Sequence, residues 1–241
     1  SETVVPLPSP VLNSSNLTSG KGVEIIAKRL QAPTSIDVAE DGKIFFTEKH
    51  GSIRVVENGT LLAEPVGDIK VENLGNAGLL GLTLHPNFTQ NHLFYVYYTY
   101  SNNTGLFNKV LMLKENENRI VDSRTILDGI PGSEFRDGGR IKFGPDEKLY
   151  VSTGDASVPE LSQNLNSLAG KILRVNEDGT IPQDNPFSNS SVYAYGFRNV
   201  QGLAWDPESG ELYASDQGAA GSDEINLISP GKNYGWPDGE C

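Results

Sequence analysis

The stretch that decides the fold is IKFGPDEKLYVSTGD, residues 141–155. A short alternating run is followed by a Gly-Pro-Asp-Glu turn and then by an aromatic-containing second run. Apolar residues at period two on either side of a turn read as an antiparallel hairpin. The same form recurs as SIDVAEDGKIFFTE (35–48), LTLHPNFTQNHLFYVYYT (82–99) and LAWDPESGELYASDQG (203–218). The second strands centre on Ile44, Leu93, Leu149 and Leu212, at spacings of 49, 56 and 63 residues. A period near 50 residues with about four strands per unit is the signature of a β-propeller blade. Further strand-like runs follow the hairpins: SIRVVEN (52–58) with TLLAEPV (60–66), and KVLMLKE (109–115) with RTILDG (124–129). The expected fold class is therefore all-β, a propeller of four-stranded blades. Four blades can be counted, with Tyr234-Gly235-Trp236-Pro237 closing the last. No long segment holds a 3.6-residue period, so helices should be few.

Composition narrows the function. The chain has 241 residues, 19 Lys and Arg against 31 Asp and Glu, and a net charge of −12. That balance argues against nucleic acid and against anionic membrane. The longest apolar run, Leu93–Tyr98, is far short of the roughly 20 residues that span a bilayer. Cys241 is the single cysteine, so no disulfide can form within the chain and no cysteine metal site exists. His50, His85 and His92 have no metal-ligand spacing, and His85 in its Leu-His-Pro turn reads as structural. Sequons stand at Asn13, Asn16, Asn58, Asn87, Asn102 and Asn189, which points to a secreted or cell-surface glycoprotein whose signal peptide is already removed. Residues 1–21 are rich in Pro, Ser and Asn and read as a flexible leader, with the propeller domain over 22–241. Asn176-Glu177-Asp178-Gly179-Thr180 reads equally as a calcium loop or a solvated turn.

Hairpin geometry places the chemistry. The start of a first strand and the end of its partner lie at the same end of an antiparallel pair. Loops 75–81, 135–140 and 196–202 precede first strands, and Thr47-Glu48, Tyr98-Thr99, Gly154-Asp155 and Asp216-Gln217 end second strands. One face must therefore gather Asn76, Arg136, Asp137, Arg140, Arg198, Asn199, Glu48, Asp155, Asp216 and Gln217. Such a cluster on a propeller axis suggests a polar ligand pocket.

At these loops the sequence resembles the soluble quinoprotein glucose/sorbosone dehydrogenases, or aldose sugar dehydrogenases. The matching runs include TEKHGSIRVV, GLLGLTLHPNF, GGRIKFGPDEKLYVSTGDA, NSLAGKILRVNEDGTIPQDNPF, VYAYGFRNVQGLAWDP and DEINLISPGKNYGWP, spanning about Val23 to Trp236. The resemblance implies a six-bladed propeller, of which this chain covers about four blades. It implies oxidation of aldose sugars to lactones with pyrroloquinoline quinone (PQQ) and calcium. PQQ is a planar tricarboxylate, which suits guanidinium and amide donors. By this resemblance Arg198 and Asn199 contact cofactor and substrate, and Asn76 keeps a polar contact. The carbonyls of Gly218 and Ala219 hold calcium, and Asp137 neighbours the base position.

Two departures follow from the same comparison. The family's base is the histidine of a His-x-Gly-Gly-Arg motif, and here the motif reads Arg136-Asp137-Gly138-Gly139-Arg140. An arginine side chain has no lone pair to accept a proton. The resemblance implies two further blades after these four, so Cys241 reads as half of a disulfide to further chain. Either that chain or a protein partner completes the ring. Three functions stay open: a PQQ- and calcium-dependent aldose dehydrogenase acting on a small-molecule sugar, a non-catalytic extracellular binding or assembly module, and a calcium-dependent lactonase, from which the motifs point away.

Overall fold

The computed structural model describes residues 23–239. The expected leader, Asn13, Asn16 and Cys241 lie outside them. Four antiparallel sheets follow one another along the chain. The first joins β1 (Pro33–Val38), β2 (Ile44–Glu48) and β3 (Ser52–Glu57), with β4 (Thr60–Leu61) and β5 (Gly67–Asp68) both pairing with β3. The second is β6 (Leu79–Leu84), β7 (Leu93–Asn102), β8 (Gly105–Asn116) and β9 (Arg119–Pro131). The third is β10 (Ile141–Phe143), β11 (Leu149–Ser152), β12 (Lys171–Val175) and β13 (Val192–Tyr195). The fourth is β14 (Val200–Trp205), β15 (Leu212–Asp216) and β16 (Glu224–Ile228). The four hairpins expected from sequence are β1–β2, β6–β7, β10–β11 and β14–β15. Among the described residues helix is confined to Phe88–Asn91 and a 3₁₀ turn at Pro159–Ser162.

Two local expectations change. The run 60–66 is not one strand: Pro65 has no N–H to give, and pairing to β3 breaks into β4 and β5. Tyr234–Trp236 does not add a strand to the fourth sheet, which has three among the described residues. Asn233 bridges Tyr195 of the third sheet, and the Tyr234 ring stacks on Phe197 at 4.7 Å. The segment is a clasp onto the blade before.

Three apolar cores lie between successive sheets. Phe45, Ile53, Leu82, Phe94 and Val96 fill the first; Tyr95, Tyr97, Ile141, Leu149 and Leu173 the second; Tyr150, Ile172, Phe197, Val200 and Leu212 the third. Each sheet thus buries a face against its neighbour, the arrangement of blades. Among the described residues the outward faces of the end sheets keep exposed apolar side chains: Ile36 on β1 is 66% exposed and Ile225 on β16 is 75% exposed.

One irregularity repeats. The pairing of first to second strand skips a residue at Thr34 in β1, Leu80 in β6 and Gln201 in β14. Each skip is a β-bulge, which re-aims backbone out of the ladder. Arg140, just ahead of β10, holds the corresponding place in the third blade. Its Nη1 donates to the carbonyls of Thr34 (3.0 Å) and Leu80 (2.9 Å), and its Nε donates to that of Gln201 (2.9 Å). One half-buried guanidinium therefore ties together the same end of all four blades.

Candidate cofactor site

A cavity of about 220 Å³ opens at this end of the molecule, lined by Thr34, Lys49, Asn76, Leu80, Arg136, Asp137, Gly138, Arg140, Asn199 and Gln201. Of the residues expected on this face, Asn76, Arg136, Asp137, Arg140 and Asn199 line it. Asp155, Arg198, Asp216 and Gln217 stand behind them. Glu48 is elsewhere: it is buried in the first blade and accepts from the Gln31 N–H and the Arg54 guanidinium.

The loop Arg136–Arg140 is held by its glycines. Gly138 has a φ of +65°, and a Cβ there would lie 2.7 Å from the Thr153 backbone. A Cβ on Gly154 would sit 1.8 Å from the Arg136 carbonyl oxygen. The loops of β10 and β11 can approach this closely only without side chains. Arg136 itself has a φ of 65°, a left-handed conformation that costs a non-glycine residue about 1–2 kcal/mol. Its Nη1 donates to Asp155 Oδ2 at 2.9 Å, which holds the residue in place. Asp155 is fully buried and also accepts from the Trp236 indole N–H at 3.0 Å and the Ser157 N–H at 2.8 Å. Burial pushes the Asp155 carboxyl above the usual range, and those donors work against it.

Asp137 is the only carboxylate among the lining residues. Its Oδ1 accepts from Asn108 Nδ2 and the Ser133 N–H, both at 2.9 Å, while its Oδ2 is buried without a partner. Burial pushes its pKa up. The Asn199 Oδ1 accepts from the Gly138 N–H and from Gln201, and its Nδ2 donates to Gln217. Asp216 accepts the N–H groups of Arg198 and Asn199 at 2.9 and 2.7 Å, so it orients the Arg198-Asn199 pair from behind. Burial pushes its pKa up as well.

The donor set fits a polycarboxylate. Lys49, Arg136 and Arg140 bring positive charge to one cavity of a chain that is acidic overall, and Asn76, Asn199 and Gln201 add amides. Behind the lining, the Arg198 guanidinium lies over the Trp236 ring at 5.4 Å with its Nε buried. These residues suit the carboxylates of PQQ. Calcium fits less well. The Gly218 carbonyl accepts from Arg198 Nη1 at 2.6 Å, and the Ala219 carbonyl accepts from the Ser222 N–H at 2.9 Å. Among the described residues no three His, Cys, Asp or Glu side chains come together to hold a metal.

The remaining motifs lie away from this cavity. In the 176–180 loop the Asp178 carboxylate accepts the Thr180 N–H and hydroxyl, closing its own turn. His85 accepts the Asn87 N–H at Nδ1 and meets Glu177 through Nε2 at 2.6 Å, pinning the turn ends of two blades. Asn58, Asn87, Asn102 and Asn189 are all exposed on or beside turns.

Known proteins are similar to this chain over most of its length. The profile of the family described as Glucose / Sorbosone dehydrogenase matches residues 30–241. The chain belongs to the glucose/sorbosone dehydrogenase family. It is 35% identical to quinoprotein glucose dehydrogenase B of Acinetobacter calcoaceticus over 89% of this chain and 52% of that one. The PQQ-bound aldose sugar dehydrogenase of Streptomyces coelicolor superposes with a TM-score of 0.85 at 37% identity, covering 91% of this chain and 66% of that one. An oxidoreductase of Thermus thermophilus, provisionally assigned as a glucose dehydrogenase, gives 0.85 at 43% identity, covering 90% and 67%. The chain spans just over half the length of the Acinetobacter relative.

Sequence reasoning missed Thr34, Lys49 and Gln201 in the cavity. Lys49 and Gln201 adjoin positions expected on this face, so the hairpin rule could have reached them. Thr34 enters through its bulge, and Trp236 reaches Asp155 only because the chain doubles back; no local pattern announces either.

Proposed function

We propose that the cavity is a PQQ site and that the protein works on small aldose sugars as a glucose/sorbosone dehydrogenase does, handicapped at the proton-transfer step. The observation that carries this is the convergence of Lys49, Arg136 and Arg140 with three amides in one cavity. PQQ, when bound, supplies a quinone that accepts hydride. Lys49, Asn76, Gln201 and the nitrogens of Arg136 turned away from Asp155 would bind and orient carboxylate and hydroxyl oxygens. Arg136 stands where the family has its base and, tied to Asp155, cannot take a proton. Loss of a general base lowers rates by about 10²- to 10⁴-fold. Asp137 is the remaining carboxylate: it lines the cavity, its buried Oδ2 lacks a hydrogen-bond partner, and burial raises its basicity. The four exposed sequons support, within the same proposal, an exported glycoprotein.

A second reading is favoured by the Arg136–Asp155 pair itself, which would suit a propeller that binds without catalysis, a module of an extracellular assembly. Dye reduction over a panel of aldoses with added PQQ separates them, with Arg136→His alongside. Turnover by the wild type that Arg136→His raises supports the dehydrogenase. PQQ binding with no turnover by either protein supports the module. No PQQ binding at all refutes the cofactor reading.

A further inference from the structure

The carbonyls of residues 217–219 include the ones the family resemblance assigns to calcium, and each is engaged or crowded by this chain's own donors. Calcium takes six to eight oxygens at about 2.3–2.6 Å. Here the Gly218 carbonyl accepts from Arg198 Nη1 at 2.6 Å and the Gln217 carbonyl from the same nitrogen at 3.1 Å. The Ala219 carbonyl closes its turn onto the Ser222 N–H. The Gly218 N–H donates to Asp223 Oδ1 at 3.0 Å, which engages one oxygen of that carboxylate. The turn has no slack: a Cβ on Gly218 would lie 1.8 Å from the Ser222 carbonyl oxygen. Arg198 is fixed from the other side, by its N–H on Asp216 and its guanidinium over Trp236. A divalent ion on the Gly218 oxygen would meet a guanidinium already bonded to that oxygen, and like charges at such range repel strongly.

We propose that Arg198 is the resident cation of this loop and that the 217–219 carbonyls bind no calcium in this protein. The guanidinium does for the loop what a bound ion would do: it neutralises converging carbonyl dipoles and sets their positions beside Asn199. This deepens the cofactor reading above and rests on it only where PQQ is added.

The test uses the 241-residue chain stripped with EDTA. CaCl2 is titrated by calorimetry and by scanning fluorimetry to about 10 mM, roughly tenfold above the weakest calcium modules, with MgCl2 as the ionic control. The wild type is expected to give no saturable calcium heat and an unchanged Tm, and to bind PQQ equally in EDTA and in calcium. Arg198→Ala uncovers the Gly218 and Gln217 carbonyls and is expected to gain a saturable calcium response; circular dichroism checks its fold. If that variant does not fold, Arg198→Gln replaces it, since a neutral amide removes the charge while keeping most of the side-chain bulk. A wild type that calcium stabilises by several degrees, or whose PQQ affinity calcium raises about tenfold, overturns the proposal. A folded variant as unresponsive as the wild type overturns the part assigned to Arg198. Failure of PQQ to bind under either condition refutes the cofactor reading and leaves the calcium titration of the bare protein to decide this one.

Discussion

Replacing Arg140 by Met should loosen the whole propeller, because its guanidinium joins three bulge carbonyls on three other strands. A hydrogen bond from a charged group contributes about 1.5–3 kcal/mol. Three of them give roughly 4.5–9 kcal/mol. Removing the cation returns its desolvation, which is several kcal/mol for a buried ion; burial already holds the Arg140 pKa below its ordinary value. The balance is a net loss of about 3 kcal/mol, which in a domain of this size lowers Tm by roughly 6–12 °C. Urea unfolding followed by tryptophan fluorescence and by circular dichroism measures it, with Arg140→Lys as a partial replacement that should fall between. A loss below about 1 kcal/mol, or a transition in which one blade melts and the rest stand, would refute the idea that one side chain couples the four blades.

Other outcomes follow from the same geometry. Arg136→Gln leaves buried Asp155 with only Trp236 and Ser157; since Arg136 is partly exposed, a loss of about 1–2 kcal/mol at pH 7 is expected by denaturant unfolding. Asp137→Asn keeps the contacts to Asn108 and Ser133 and removes the charge. The folded Asp137 pKa is raised, so the stability it contributes is present below the unfolded value and lost as pH rises through the folded one. The variant should therefore compare better with the wild type at pH 7 than at pH 4, and any residual sugar turnover should vanish with it. Lys171 is fully buried, with Nζ donating to the carbonyls of Leu161, Ser162 and Ala169, and burial pushes its pKa down to about 7. Between that value and the unfolded one the unfolded chain binds more protons, so wild-type stability should climb with pH from 7 to 9 relative to Lys171→Met, by up to about 1.4 kcal/mol per pH unit; a flat difference would contradict this.

The fold was legible because each blade repeats its hairpin in the sequence, and periodicity survives divergence. Ile44, Leu93, Leu149 and Leu212, around which the sequence centres the second strands, are the first residues of those strands. The polar face was legible for the same reason, since hairpin ends must share a side. What escaped notice depends on exceptions to regular pairing. The bulges at Thr34, Leu80 and Gln201 turn carbonyls toward Arg140, and no residue type marks them beforehand. Tyr234–Trp236 resembles a closing strand by position, yet its rings find better packing on Phe197 and beside Arg198. Gly218 and Ala219 were placed by likeness to a metal-binding turn, and nothing in that likeness reveals where the Arg198 side chain goes.

We propose that the cavity between Lys49, Asn76, Arg136 and Gln201 holds PQQ. Titrating PQQ into the purified chain and following its absorbance and the protein's tryptophan emission tests it most directly. The account predicts saturable one-to-one binding that weakens on replacing Lys49 or Arg136 by neutral residues. An absence of saturation, or an affinity indifferent to both replacements, would contradict it.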